Sequence, residues 1–344
     1  MKISMLGYTN SGKTSYLGTM LSHLFNQRVE GFEVRAANGS EPVIHELLAR
    51  IDHIYTRNKF PDATATTEEI GSTTVLDLSL LHNNNHIIDF SFIDYRGGIL
   101  QNIAERSNDE ETKIVAAELL MTDVLIVFVD AILLNRFKSN IVTARARLGV
   151  RQITAILEMT KQKLSTVGKE LSVIIALTKT DASTLRDVSL CALKSSARNL
   201  FNNFGGTGNS PDWKVVELGI LGQGNVNTTI TNTIIEDGSQ ALRVTNQPTG
   251  DAHLPVNIVS LLAESALIAS RSAFIDFAKL SDLIAEQDKK LNNGLKVLID
   301  RLFYKSKGAI NLATLKQRLE ESYYANVNLK KYNDEFNKVI SLKK

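Results

Sequence analysis

Cysteine is almost missing from this 344-residue chain: Cys191 stands alone. A single thiol excludes an internal disulfide and suits a reducing compartment. Long apolar runs are missing too, so no transmembrane segment is expected. The opening stretch MKISML gives way at once to Gly7, too brief for a secretory leader. Charge is balanced, with 39 basic and 37 acidic residues and a net of +2, so no overall field draws the chain to nucleic acid. The six histidines, His23, His45, His53, His82, His86 and His253, show no metal-ligand spacing. His82 and His86 flank a turn and can meet, yet no third ligand accompanies them. Trp213 and the pair Tyr323 and Tyr324 read as packing residues. These absences describe a cytoplasmic chain without metal clusters or cross-links.

What is present is core. The apolar fraction is 43%, enough for one large domain and a smaller one. Ile3 to Leu6, DVLIVFVDA, LSVIIALT and WKVVELG read as buried strands, with helical patterns over 13–27 and 41–55. Thr73 to Leu81 and Ile87 to Ile93 read as paired strands joined by HNNNH. Apolar strands alternating with helices predict an α/β fold in three layers with a mostly parallel sheet. The body is expected over 1–275, with a helical insert near 41–57 and a β-ribbon near 226–250 turning at Asp237-Gly238. Residues 276–344 form the C-terminal helical extension. Three stripes there are Leu291, Leu295, Leu298 and Leu302; Leu312, Leu315 and Leu319; and Leu329, Tyr332, Phe336 and Val339. The extension carries 14 basic and 9 acidic residues, a net of +5 that leaves about −3 on the body. The charges are interleaved, which suits a hairpin packed on the body, or a helix that docks a partner or self-associates.

Residues 7–14, GYTNSGKT, fit G-x-x-x-x-G-K-[ST] between a strand and a helix, a phosphate-binding P-loop. Gly7 and Gly12 let backbone N–H groups curl around phosphates, with Asn10, Ser11 and Ser15 in the same wrap. Lys13 is placed to reach the β- and γ-phosphates, and Thr14 to give its hydroxyl to Mg²⁺. Two later elements choose the nucleotide. FSFIDYRGG puts Asp94 at a strand end for the Mg²⁺ water shell, with Gly97 three residues on to sense a γ-phosphate. TKTD, Thr178 to Asp181, supplies a carboxylate for guanine N1 and the 2-amino group, which adenine cannot match. The stem of Lys179 can cover the base plane.

The three motifs in this order resemble the P-loop GTPases of the translation-factor-related (TRAFAC) class, over roughly residues 1–270. GYTNSGKT is similar to the G1 box, DYRG to G3, and TKTD to a threonine-led G4. The resemblance implies that backbone at Leu218-Gly219-Ile220 serves as G5 on guanine O6. The helix before FPDATATTEE and the return at LPVNIV resemble bacterial double-GTPase-like proteins, although only one G1 box is present. Switch I should then supply a threonine to Mg²⁺, with Thr67 preferred over Thr64 and Thr66. Against that stands a plain solvated loop.

Many such proteins orient the attacking water with glutamine directly after D-x-x-G; here that residue is Gly98. Three routes to GTP hydrolysis stay open. Asn10 can help to hold K⁺ beside the phosphates, Arg96 can act as an internal arginine finger, or a protein partner can supply activation. The expectation is a Mg²⁺-dependent GTPase switch that cycles between GTP and GDP. Its alternatives are a nucleotide-loaded scaffold and an ATPase or small-molecule kinase, the last opposed by TKTD.

Overall fold

The computed structural model describes residues 1–8, 10–25, 29, 31–57, 60, 73–95, 119, 122–165, 170–204, 212–222, 224–234, 240–249, 255–269 and 332–341. The main sheet contains β1 (Lys2–Gly7), β2 (Phe32–Ala36), β3 (Thr73–His82), β4 (Asn85–Tyr95), β5 (Val124–Asp130), β6 (Val173–Thr178) and β7 (Lys214–Glu217). Their spatial order is β2-β3-β4-β1-β5-β6-β7. β1 pairs in parallel with both β4 and β5, β5 with β6 and β6 with β7, while β3 is antiparallel to both of its neighbours. A three-layer α/β architecture with a mostly parallel sheet is therefore what the chain adopts.

The strand periodicity explains the layers. Every residue of β5 and β6 is buried. Ile3, Met5, Val124, Ile126, Phe128, Ile174 and Ala176 face one core, whereas Leu6, Leu125, Val127, Val129, Val173, Ile175 and Leu177 face the other. A period of two sends alternate side chains to opposite faces, and each face needs its own helical cover. On the first face lie α1 (Lys13–Leu24), α2 (Glu41–Arg57) and a helix over 258–269. The second face is covered by α3 (Ala131–Phe137), α4 (Ile141–Arg147), α5 (Val150–Ser165) and α6 (Leu190–Asn199).

The HNNNH joint is the turn between β3 and β4. Asn83 and Asn84 have φ of 50° and 66°, the paired positive angles that suit the twist of a two-residue hairpin. The ribbon is also present, as β8 (Val226–Ile234) against β9 (Gln240–Pro248), and its tip at Asp237-Gly238 lies outside the described residues. Two features depart from the sequence reading. Helix α1 ends at Leu24, with Phe25 extended rather than continuing to residue 27. β2, FEVRA, adds an edge strand that was not anticipated.

Most of the C-terminal extension, including the stripes at Leu291–Leu302 and Leu312–Leu319, lies outside the described residues. Its last helix, α7 (Asn333–Ser341), returns to the body. Phe336 is 2% exposed and stacks on Phe32 with ring centroids 4.8 Å apart, and Tyr332 meets His82 edge-on. That contact covers β2 from the first-face core. Truncating a buried phenylalanine costs about 3 kcal/mol or more through lost transfer energy and residual cavity. Phe336→Ala should accordingly lower the urea-denaturation free energy by about 3 kcal/mol. A loss below about 0.5 kcal/mol, the scale of a surface substitution, would show that the helix is not anchored there.

Candidate nucleotide site

Parallel strands bring their carboxyl ends to one edge of the sheet, the usual place for a ligand in an open α/β fold. Gly7, Asp94, Asp130, Thr178 and Glu217 lie at or near the ends of β1, β4, β5, β6 and β7. The switch point is β1, whose neighbours β4 and β5 lie on opposite sides. Met5 is in register with Asp94, and Asp130 with Thr178.

The loop after β1 is built to receive an anion. Gly12 caps α1 at φ 93°, a left-handed angle that a side chain would strain, and no side chain caps the helix. By contrast α3, α4 and α6 are capped by Asp130, Asn140 and Ser189. Helix α1 thus has neither a side-chain cap nor an acidic residue in its first turn. Its positive end remains available to a phosphate. A Cβ on Gly7 would stand 2.9 Å from the Phe128 Cβ, so only glycine lets β1 leave the sheet here. Asn10 also takes a positive φ, 64°, within the curl. Lys13 is buried at 7% exposure and donates from Nζ to the Gly7 carbonyl at 3.0 Å, folding back over the loop. Thr14 follows in the first turn of α1, and the Ser15 carbonyl accepts the Thr19 hydroxyl at 2.8 Å.

β6 joins this loop to a second one. Thr178 Oγ1 donates to the Ser11 carbonyl at 2.8 Å, with the Val129 carbonyl 3.2 Å away as a second acceptor. Lys179 then turns at φ 59°, and its Nζ donates to Asp130 Oδ2 at 2.5 Å. Asp181 is 2% exposed and accepts the Leu221 N–H on Oδ2 at 2.9 Å. The Thr180 N–H reaches the Leu218 carbonyl at 3.1 Å, and the Leu218 N–H reaches the Leu177 carbonyl at 2.7 Å. A Cβ on Gly219 would lie 2.9 Å from the Asp181 Cβ, so the two loops touch only because Gly219 has no side chain. Gly219 also bridges Val256, fastening the start of the 258–269 helix to the same loop.

Of the residues singled out in sequence, the structure assembles Gly7, Asn10, Ser11, Gly12, Lys13, Thr14, Ser15, Thr178, Lys179, Asp181, Leu218 and Gly219 along one edge. Asp94 ends β4 beside β1, and only its backbone is described. Thr64, Thr66, Thr67, Arg96, Gly97 and Gly98 lie outside the described residues. His86 pairs with Asp89 and His82 packs on Phe32, and no cluster of three metal-ligating side chains occurs among the described residues. Two groups beside these residues carried no sequence signal: the Leu221 N–H is a backbone donor without a signature, and Asp130 meets Lys179 only because it lies beside Thr178 across the sheet. Helix α2 closes the region from the other side, with Ile51 and Ile54 packed on Leu221 and Val226.

A seven-stranded α/β sheet with a strand–GxxxxGK[ST]–helix loop at its switch point defines a P-loop nucleotide-binding protein. More narrowly, the chain belongs to the Double-GTPase 2 family, whose model matches residues 2–210. No curated protein matches it. Among solved structures it is similar to the signal recognition particle receptor SRb-GTP/SRX complex from Chaetomium thermophilum. The identity is 15% and the TM-score 0.33, over 59% of this chain and 79% of that one.

Burial pushes the Asp181 carboxyl up to about 6, against the N–H groups of Leu221 and Ile220 and the Lys179 charge, which favour the anion. Its pKa in the fold is therefore above that of the unfolded chain. Protonation favours the fold, with the gain complete below about pH 4 and lost as pH rises through about 6. Lowering pH from 7 to 5 should stabilise the nucleotide-free protein by about 1 kcal/mol through this group. Asp181→Asn should lack that increment in urea denaturation at the two pH values. The same pH response in both proteins would contradict the assignment.

Proposed function

We propose that the protein binds GTP with Mg²⁺ and hydrolyses it, using the difference between GTP and GDP as a switch read by a protein partner. The observation that carries this reading is the sheltered Asp181, tied through Thr178 and Ser11 to an uncapped phosphate loop. A buried carboxylate rewards a ligand that brings N–H donors and penalises one that leaves it unpaired. Guanine brings two, at N1 and the 2-amino group. A carboxylate has about four lone-pair sites; the Leu221 N–H and other nearby backbone N–H groups already point at Asp181, so guanine's donors would compete with them for the carboxylate. Leu218 and Gly219 supply backbone beside that edge.

The donor set fits magnesium: the Thr14 hydroxyl at the start of α1 and the Asp94 carboxylate at the end of β4 are hard oxygen groups on adjoining elements. With Thr67 they would hold the ion, which when bound neutralises charge developing on the phosphates. Lys13 leaves the Gly7 carbonyl for the β- and γ-phosphates, and Gly97 offers its N–H to the γ-phosphate. Loss of that phosphate relaxes the two switches. Turnover is slow in isolation because Gly98 has no side chain to orient water. Asn10 with K⁺, Arg96, or a partner's arginine supplies the missing stabilisation. The protein acts in the bacterial cytoplasm, on a protein rather than on nucleic acid. No helix among the described residues is long and apolar enough to cross a membrane. Gly98 also favours a second reading, a scaffold that stays nucleotide-loaded and scarcely hydrolyses.

Multiple-turnover assays with Mg²⁺ and either K⁺, Na⁺ or no alkali cation separate these readings. The switch reading expects phosphate release from GTP, faster in K⁺ by about tenfold if Asn10 helps to hold the cation. Tight GTP binding without release under any cation, or with a candidate activator present, would favour the scaffold.

A further inference from the structure

We propose that Asp130 is a positioning residue for guanine-nucleotide recognition, acting through Lys179; the inference rests on the nucleotide-binding reading above. Asp130 belongs to none of the three sequence motifs. It ends β5, is 4% exposed, and uses its two oxygens differently. Oδ1 accepts the N–H groups of Ile132 and Leu133 at 2.9 and 3.1 Å, capping α3. Oδ2 accepts Lys179 Nζ at 2.5 Å.

The consequence lies in what this does to the lysine. Lys179 follows Thr178 with a left-handed backbone at φ 59°, an angle uncommon for a residue with a side chain. A free lysine there would sample many rotamers and lose that freedom on ordering. Here its ammonium is drawn to the end of the neighbouring strand, and its side chain is only 21% exposed. The four-carbon stem therefore spans from the end of β6 to the end of β5. The preceding residue, Thr178, lies against the phosphate loop, where a Cβ added to Gly12 would stand 3.5 Å from Thr178 Cγ2. Lysine stems readily cover apolar surface while the charged head stays solvated or paired. Held this way, the stem forms a preset floor for the flat face of a purine, while Asp181 reads the edge.

The anchor is itself rigid. Two backbone donors fix the carboxylate of Asp130, so its position does not depend on the lysine. One aspartate thus caps a helix and sets a ligand-facing side chain, and these roles can be separated. Asparagine caps helices about as well as aspartate, but it cannot offer a charged acceptor to an ammonium. Asp130→Asn should retain the cap and lose the anchor.

The test is a double-mutant cycle on the full chain with Asp130→Asn, Lys179→Met and both together, measuring Kd for GDP and inosine diphosphate. Asp130→Asn should leave the melting temperature within about 2 °C of the parent, consistent with a retained cap. It should weaken GDP about three- to tenfold. In the Lys179→Met background it should add almost nothing, because its effect passes through the lysine. The ratio of GDP to inosine diphosphate affinity should not change, since the 2-amino group is read by Asp181; Asp181→Asn, by contrast, should collapse it. Equal losses from Asp130→Asn in both backgrounds, or no loss in either, would overturn the inference while leaving guanine binding intact. Failure of the parent protein to bind GDP would instead overturn the reading on which it rests.

Discussion

One hydroxyl holds the two halves of the site together. Thr178 Oγ1 donates to the Ser11 carbonyl at 2.8 Å, joining residues 167 positions apart in the chain. That bond ties the loop after β1 directly to the TKTD loop after β6, across the intervening strand β5. On the proposed reading, it would hold a base at Asp181 and phosphates at the start of α1 at a set separation. Because Thr178 and Ser11 are both buried, the bond is shielded from competing water. A threonine at the head of TKTD therefore has a structural duty as well as a place in a motif.

Around this tie, the protein keeps local features that ligand binding can use and that do little for the empty fold. Helix α1 begins without the side-chain cap given to α3, α4 and α6, although such a cap is typically worth about 1 kcal/mol. Asp181 is buried although burial favours its neutral form. Lys13 folds onto its own loop. On the proposed reading, each of these positions would be improved by a polyanionic ligand with hydrogen-bond donors on its base. Local compromise concentrated at one edge of an otherwise well-covered sheet is what a binding site looks like energetically.

The sequence conveyed much of this because its decisive parts are contiguous. GYTNSGKT carries its own strand and helix, and TKTD carries the end of β6. The alternation in DVLIVFVDA and LSVIIALT implied strands covered on both faces, as found. What it did not convey depends on distant neighbours. β2 is five residues long with Glu33 and Arg35 among its apolar positions, and it becomes a strand by pairing with β3 and receiving Phe336 on its face. Asp130 looked like the end of an apolar run, since nothing in its surroundings along the chain reveals that Lys179 lies across from it. The Leu221 N–H could not be foreseen, because backbone donors leave no mark in composition. Thr67, Arg96 and Gly97 lie outside the described residues, and their assignment rests on the motifs alone.

The central claim is that this edge selects guanine, and calorimetric titration of nucleotide-stripped protein tests it most directly. GDP, a nonhydrolysable GTP analogue and ADP would each be titrated with Mg²⁺ and K⁺ present. The account predicts that the guanine nucleotides bind at least about a hundredfold more tightly than ADP, as expected when a buried polar group must find its donors. Equal affinity for GDP and ADP would contradict it and leave GYTNSGKT as a phosphate loop without a guanine reader.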